Sequence, residues 1–417
     1  MVLKSCCVYS VGVVSVLMLI LGISLVLTSV FPHLVQSMVK KQVVLKNDTD
    51  AFEAWKDPPA HIYMQFYFFN LTNPQEVLDG ERPAVVEIGP YTYREYRPME
   101  QIDFQDNGTK VTAVNTKTYI FQRNMSRGPE SDLIRTVNIP AMNNASNDGE
   151  YVFFTGQQNY RDFSRVDTWK GESSLNWWTS DECNMINGTI GTGFHPVITK
   201  NDMLYIFSSD LCRSLYTVYE EDVTVKGITG YRFVPPSSVF ANLTVNPDNA
   251  GFCVPAGNCL GSGLLNVSVC KEGAPIIMSS PHFYQADEKF AQDVFGMTPN
   301  KEEHQTAIDI NPLTGVVLQT AKRLQINVYV EQIPTFSQTG NVRTVVFPVA
   351  YLNESATIDD TAAKKLKAIG VQQNVVENIP FMLIGLAIIV GGIFMFLVCQ
   401  QKVPESSAAE RQPLLSS

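Results

Sequence analysis

The sequence predicts an α+β fold: an antiparallel sheet or barrel decorated with short helices, with one transmembrane helix at each end. Three observations predict it. Two long apolar runs without charged residues lie near the termini. Between them stand many short β-branched and aromatic runs separated by turn residues, with few long helical patterns. Every N-glycosylation acceptor also lies between them. The 417 residues are 45% hydrophobic and 17% charged, with net charge −10, which suits a folded domain plus membrane segments. With no basic excess to displace counterions from phosphates, nucleic acid is excluded as a partner. The acidic balance is compatible with an acid compartment, where repulsion among carboxylates eases.

Residues 1–5 form a short tail and residues 6–30 the first transmembrane helix. That run is too long for a secretory signal and lacks a small-residue cleavage pattern, so it reads as an uncleaved anchor. An amphipathic helix follows over Phe31 to Lys46, opened by Pro32, with Leu34, Val35, Met38 and Val39 at helical spacing. Residues 31–378 form one domain. Its strand-like runs include Tyr63 to Phe69, Ala84 to Ile88, Tyr91 to Tyr96, Thr118 to Phe121, Tyr151 to Phe154 and Leu204 to Phe207. Leu215 to Tyr219, Tyr231 to Val234, Gln325 to Val330 and Arg343 to Val349 continue the series. Asp106-Asn107-Gly108, Asn147-Asp148-Gly149 and Asn311-Pro312-Leu313-Thr314-Gly315 punctuate it. Ala362, Ala363, Leu366 and Ile369 mark a second helical stalk, expected to pack on the first. Residues 379–399 are the second span, about the length a bilayer requires. Pro380 sits where a helix's first turn tolerates proline.

Residues 400–417 end the chain with Glu410, three spacers including Pro413, and the pair Leu414-Leu415. An acid followed by paired leucines beside a span reads as a sorting address: the leucines fill an apolar slot on a clathrin adaptor complex and the glutamate meets a basic patch. Lys4 before the first span and Lys40 and Lys41 after it set orientation weakly. Nine sequons decide it, at Asn47, Asn70, Asn107, Asn124, Asn144, Asn187, Asn242, Asn266 and Asn353. They place the middle in the lumen or outside the cell and both termini in the cytosol. Cys6, Cys7 and Cys399 then lie at the cytosolic edges of the spans, as candidates for reversible palmitoylation. Cys183, Cys212, Cys253, Cys259 and Cys270 lie in the oxidising compartment. Four of them make two disulfides, with three connectivities open and one thiol left over. Without a CxxC pair or a histidine cluster they do not read as a zinc site.

Several blocks together resemble the class B scavenger receptor family. They are Phe66 to Asn70 with Thr72-Asn73-Pro74; Gly89-Pro90-Tyr91-Thr92-Tyr93-Arg94; Cys183-Asn184-Met185-Ile186-Asn187-Gly188; Ser280-Pro281-His282-Phe283-Tyr284-Gln285-Ala286-Asp287; and Asn311 to Gly315 leading to Ala321-Lys322-Arg323. The resemblance runs in order along essentially the whole chain, and the ending Pro413-Leu414-Leu415 is similar to the family's lysosomal member. It implies a twisted antiparallel β-barrel crowned by helices and pierced by an apolar tunnel that passes lipids such as cholesterol. It implies pairing of Cys212 with Cys270 and of Cys253 with Cys259, with Cys183 free. The longer loop would contribute roughly 4 kcal/mol and the shorter roughly 2. It also implies residence in the lysosomal and late endosomal membrane. The crown of the lysosomal member docks β-glucocerebrosidase for delivery to lysosomes, and a histidine there senses acid. Here only Ala141-Met142-Asn143-Asn144-Ala145-Ser146 stands between Leu133-Ile134-Arg135-Thr136-Val137-Asn138-Ile139-Pro140 and Asn147. Six small or polar residues make a loop, not a bundle, and none of His33, His61, His195, His282 and His304 lies there. A splice form explains the shortening better than a truncated gene model.

No catalytic site emerges. Gly261-Ser262-Gly263 lacks the spacing of a nucleophile elbow, and Gly188, Gly191 and Gly193 follow no strand. His282 near Asp287, and His304 beside Glu302 and Glu303, read as turn histidines satisfied by backbone. Trp177 and Trp178 read as packing, and Lys322-Arg323 as a solvated strand end. The chain is therefore expected to need no cofactor and to work as a sorting receptor, or alternatively in lipid transfer through the barrel.

Overall fold

A computed structural model describes residues 2–136, 147–335 and 337–401. The chain divides into two units, one made of residues 1–38 and 367–417, the other of residues 39–366.

The first unit holds Val8–Leu27 and, from residue 367 on, Asp360–Gln400, both segments of helix long and apolar enough to cross a membrane. They approach closely because small residues line the contact. A Cβ on Gly12 would lie 2.9 Å from the Phe394 ring, and one on Gly22 would lie 2.6 Å from Ile384. Ser15 Oγ donates to the carbonyl of Ala387 at 2.8 Å. In lipid, where apolar surface alone does not drive helices together, such close backbone packing and interhelical hydrogen bonds do. The helix Val2–Leu27 ends at a turn in which Ser29 has φ of +50°, and the next helix is Val30–Gln42. The C-terminal helix corrects an expectation. Asp360–Gln401 is continuous, so Pro380 lies inside it rather than at its start. Proline there leaves the carbonyl of Val376 without its usual donor, a cost the long apolar helix on either side tolerates.

The second unit is built from fifteen strands. They are β1 (His61–Leu71), β2 (Val85–Tyr96), β3 (Met99–Gln105), β4 (Lys110–Thr116), β5 (Thr118–Phe121), β6 (Asn147–Phe154), β7 (Val166–Trp169) and β8 (Leu204–Ser208). Then come β9 (Arg213–Val225), β10 (Ile228–Val234), β11 (Leu264–Asn266), β12 (Ile276–Ser279), β13 (Ala307–Ile310), β14 (Val317–Val330) and β15 (Val345–Thr357). The large sheet runs β5-β2-β1-β15-β14-β13-β10-β9-β8, with β12 on β14 and β11 on β12. A second sheet runs β3-β4-β6-β7. All pairings of these strands are antiparallel.

The barrel expected from the resemblance is not closed. Strands β5 and β8 end the order, are four and five residues long, and do not pair. The second sheet supplies the apolar cover that closure would otherwise give. Val111, Ala113, Tyr151, Phe153 and Trp169 from it share one buried cluster with Phe207, Leu265, Ile276 and Met278 of the large sheet. The runs Ala84 to Ile88 and Tyr91 to Tyr96 join as β2 through Gly89-Pro90, where the register on β1 shifts between Phe66 and Phe68. The stalk residues Ala363 and Leu366 are buried with Val225, Ile228, Leu318 and Ile358. Cys212 is bonded to Cys270 and Cys253 to Cys259, while Cys183 is buried and free.

Candidate functional site

Strand alternation gives the large sheet two faces with different chemistry. One carries a wall of aromatic residues. Across it, Phe121 of β5 stands opposite Tyr93 of β2, Tyr93 opposite Met64 of β1, and Met64 opposite Glu354 of β15. The next row joins Tyr91, Phe66, Leu352 and Leu324. Phe66 and Phe68 stack at 6.3 Å, Phe66 meets Tyr93 edge-on at 5.6 Å, and Phe68 meets Tyr91 at 5.9 Å. Phe66, Phe68, Tyr93, Phe121 and Leu352 remain half-buried and join none of the buried hydrophobic clusters among the described residues. Aromatic surface of this size, left incompletely covered, favours an apolar occupant. The chain after β5 is tied to its rim: Tyr91 OH donates to Asp132 at 2.7 Å and Tyr93 OH to Glu130 at 2.8 Å.

One end of the wall is floored by charge. Nη2 of Arg97 lies 2.8 Å from Glu95 and 2.7 Å from Glu354. Lys322 reaches Asp210 at 2.6 Å and Glu354 at 3.9 Å. Lys117, between β4 and β5, pairs with Asp148 of β6 at 3.0 Å. Burial raises the Glu95 carboxyl despite the Arg97 charge. Burial also works against ionised Glu354, but Arg97, Lys322 and Lys117 together hold its pKa below the usual range. Lys322 chiefly, with Lys117, lowers the pKa of the half-exposed Asp210. Lys322 is thus a mid-strand member of an ion network, correcting its reading as a solvated end. Arg323 beside it points to the other face and donates to the carbonyl of Gln305.

That other face carries a polar cluster. His282 and His304, from segments laid over β14 and β15, stack with ring centroids 4.4 Å apart. Nε2 of His282 lies 2.8 Å from Glu87, and Tyr351 OH donates to the same carboxylate at 3.3 Å. Nδ1 of His282 accepts from the Thr298 N–H, and Nδ1 of His304 from the Asn300 N–H. Backbone does satisfy these histidines, but the acid that meets His282 is Glu87, not Asp287, which instead accepts from the Ser262 N–H. Glu87 lies 195 residues from His282 in sequence, beyond the reach of any spacing argument.

The other sequence-derived positions are dispersed. Asn47, Asn107 and Asn124 are exposed; Asn70, Asn187, Asn242, Asn266 and Asn353 are half-buried. Asn353 sits mid-strand in β15 with its Nδ2 donating to Gln65. Cys6 and Cys7 lie in the helix Val2–Leu27, and Cys399 is exposed on the last helix. Trp178 is core: its Nε1 donates to the Cys212 carbonyl at 2.7 Å. Asn144, Glu410, Pro413, Leu414 and Leu415 lie outside the described residues.

Comparison with known proteins agrees along most of the chain. A model of the CD36 family matches residues 13–145 and 141–398. Lysosome membrane protein 2 of Homo sapiens is 44% identical over 476 aligned positions, covering 98% of this chain and 99% of that protein. The Mus musculus protein of that name is also 44% identical, with the same coverage. Scavenger receptor class B member 1 of Cricetulus griseus is 33% identical over 455 positions, covering 93% of this chain and 87% of that protein.

Proposed function

This chain belongs to the CD36 family, and from that premise we propose that it is a lysosomal membrane glycoprotein whose sheet domain binds lipid in the lumen. The family is one of receptors rather than enzymes. In this reading the chain spans the membrane twice, with both termini cytosolic and residues 31–378 lumenal. Lipids such as cholesterol or a fatty acyl chain lie against the wall formed by Phe66, Phe68, Tyr93 and Phe121 on their way to the lysosomal membrane. The carrying observation is that these aromatics share one face of the sheet yet remain half-buried outside the sealed clusters. The test is saturable uptake of labelled cholesterol by the delipidated full chain. Phe66→Glu with Phe68→Glu is expected to weaken uptake roughly tenfold or more, since each half-buried ring contributes about 1 kcal/mol of apolar contact. Unchanged uptake in a variant that still melts cooperatively would remove the wall from the path.

A second reading is that the protein sorts β-glucocerebrosidase to lysosomes. The similarity to lysosome membrane protein 2 favours it. The two family-model matches meet at residues 141–145, and the human alignment spans 476 positions against 417 residues here; both fit a shortened apex at the expected docking surface. A pull-down at neutral pH with this chain, beside a copy with a family apex restored, tests the reading. Binding only after restoration leaves lipid traffic as the activity of this form. For the tail, Leu414→Ala with Leu415→Ala is expected to move the protein to the cell surface through loss of adaptor binding. Lysosomal staining as in the parent would remove the dileucine from its address.

A further inference from the structure

Arg213 opens β9 next to the bridged Cys212 and is only 6% exposed. Its Nε donates to the Ser214 carbonyl and its Nη1 to the Val239 carbonyl, both at 3.3 Å. Its Cζ stands 3.5 Å over the Phe252 ring and 5.6 Å from that of Phe240. Among the described residues no carboxylate approaches it within 4.0 Å, and Nη2 carries no hydrogen bond although it keeps contact with solvent. A buried cation is normally paired, because desolvation of an uncompensated charge is costly. Burial accordingly pulls this guanidinium down to about 9, against smaller opposing effects of Cys183 and Tyr216.

The unpaired cation lines a small cleft with Phe240, Asn242, Asn249, Phe252 and Leu264. Two of the side-chain amides there already have work: Asn242 Nδ2 donates to Leu260, and Asn249 Nδ2 to Ser238 and Ala241. Arg213 is therefore the cation in the cleft that a ligand could pair with. We propose that this cleft is an oxyanion site, in which a carboxylate or phosphate group pairs with Arg213 beside the Phe252 ring. The cleft suits a small charged group rather than a whole lipid, and that group comes either from a free anion or from a lipid headgroup. The site lies on β9, β11 and the Cys253–Cys259 loop, apart from the aromatic wall on β1, β2 and β5, and does not depend on the lipid reading.

The experiment uses the full glycosylated chain in phosphatidylcholine nanodiscs. Butyrate and inorganic phosphate are titrated calorimetrically, with butanol as the neutral control. In parallel, phenylglyoxal labelling of Arg213 is followed by peptide mass spectrometry, with and without each anion and in discs enriched in phosphatidylserine. Binding of butyrate or phosphate but not butanol, weakened about tenfold by Arg213→Met as expected for loss of a charge-assisted pair, supports a free-anion site. Protection of Arg213 only in phosphatidylserine discs supports a headgroup site. Equal anion binding by Arg213→Met, or Arg213 labelling unaffected by any of the three probes, overturns the proposal. The labelling arm uses the parent protein and so stands even where the variant fails to fold.

Discussion

Replacing Arg97 with methionine is expected to destabilise the sheet domain by about 3–5 kcal/mol. Methionine keeps much of the side chain's length and apolar contact, so the change isolates the charge. Arg97 is the only cation within 3 Å of Glu95 and Glu354 among the described residues. The side chains of Glu95 and Glu354 are 0% and 14% exposed, so neither can turn to water when the guanidinium goes. Glu95 already has one oxygen without a hydrogen-bond partner. The other end of the same network supplies the contrast. Asp210 and Lys322 are 46% and 35% exposed, and a pair that wet typically contributes at most about 1 kcal/mol. Lys322→Met should therefore cost distinctly less than Arg97→Met, despite the shorter contact distance. Adding Glu354→Gln to Arg97→Met should recover part of the loss, since it removes one stranded charge. Urea denaturation of the four proteins measures these differences. A cost below about 1 kcal/mol for Arg97→Met would mean that water reaches both ends of the floor.

Much of the fold was legible because its signals are local. The strand Tyr63 to Phe69, the turn at Asp106-Asn107-Gly108 and the two apolar helices each follow from a few neighbouring residues. Of the strands that sequence missed (β3, β4, β7, β11, β12 and β13), β3 and β4 read as polar in Met99–Gln105 and Lys110–Thr116. Their buried apolar residues, Met99, Val111 and Ala113, are too few for a convincing alternation, and a partner sheet supplies the rest. Closure was not legible at all. Whether β5 meets β8 depends on strand number, tilt and what covers the inner face, none of which is a local property.

The candidate site was less legible for a related reason. The run Tyr63 to Phe69 is aromatic on both faces, so its alternation does not say which face is sealed. Only the pairing register places Phe66 and Phe68 with Tyr93 and Phe121, and Tyr67 with Tyr351 on the opposite side. Lys322-Arg323 was legible as a charged pair, but two adjacent strand residues face opposite ways. One joins the ion floor and the other a carbonyl across the sheet. The Leu133 to Pro140 block carried the opposite kind of information: a difference in length, visible in sequence without any structure.

Lowering the pH from about 7 to about 4 is expected to remove about 3 kcal/mol of stability through His304 alone. Its ring is 2% exposed. Burial first, and then the stacked His282, pull its pKa from 6.5 down to about 4; Glu87 opposes this and Arg323 reinforces it. Glu303 and the Tyr67 and Tyr351 hydroxyls lie nearby, and those hydroxyls, themselves raised chiefly by burial, stay neutral across the range. The hydrogen bonds give the same answer. Because Nδ1 of His304 accepts from the Asn300 N–H, a proton added there displaces that N–H, at the residue whose side chain caps the helix Lys301–His304. The unfolded chain protonates this histidine near 6.5 and the folded one only near 4. Between those values the unfolded state binds more protons, so stability is full above about 6.5 and falls until about 4, where the loss is complete. His304→Phe keeps the stack on His282 without a titrating nitrogen. Denaturation measured across this range should then show a shallower loss in the variant, by about 3 kcal/mol in total. The same slope in both proteins would show that His304 charges freely in the folded state, and that the stacked pair opens to water as the compartment acidifies.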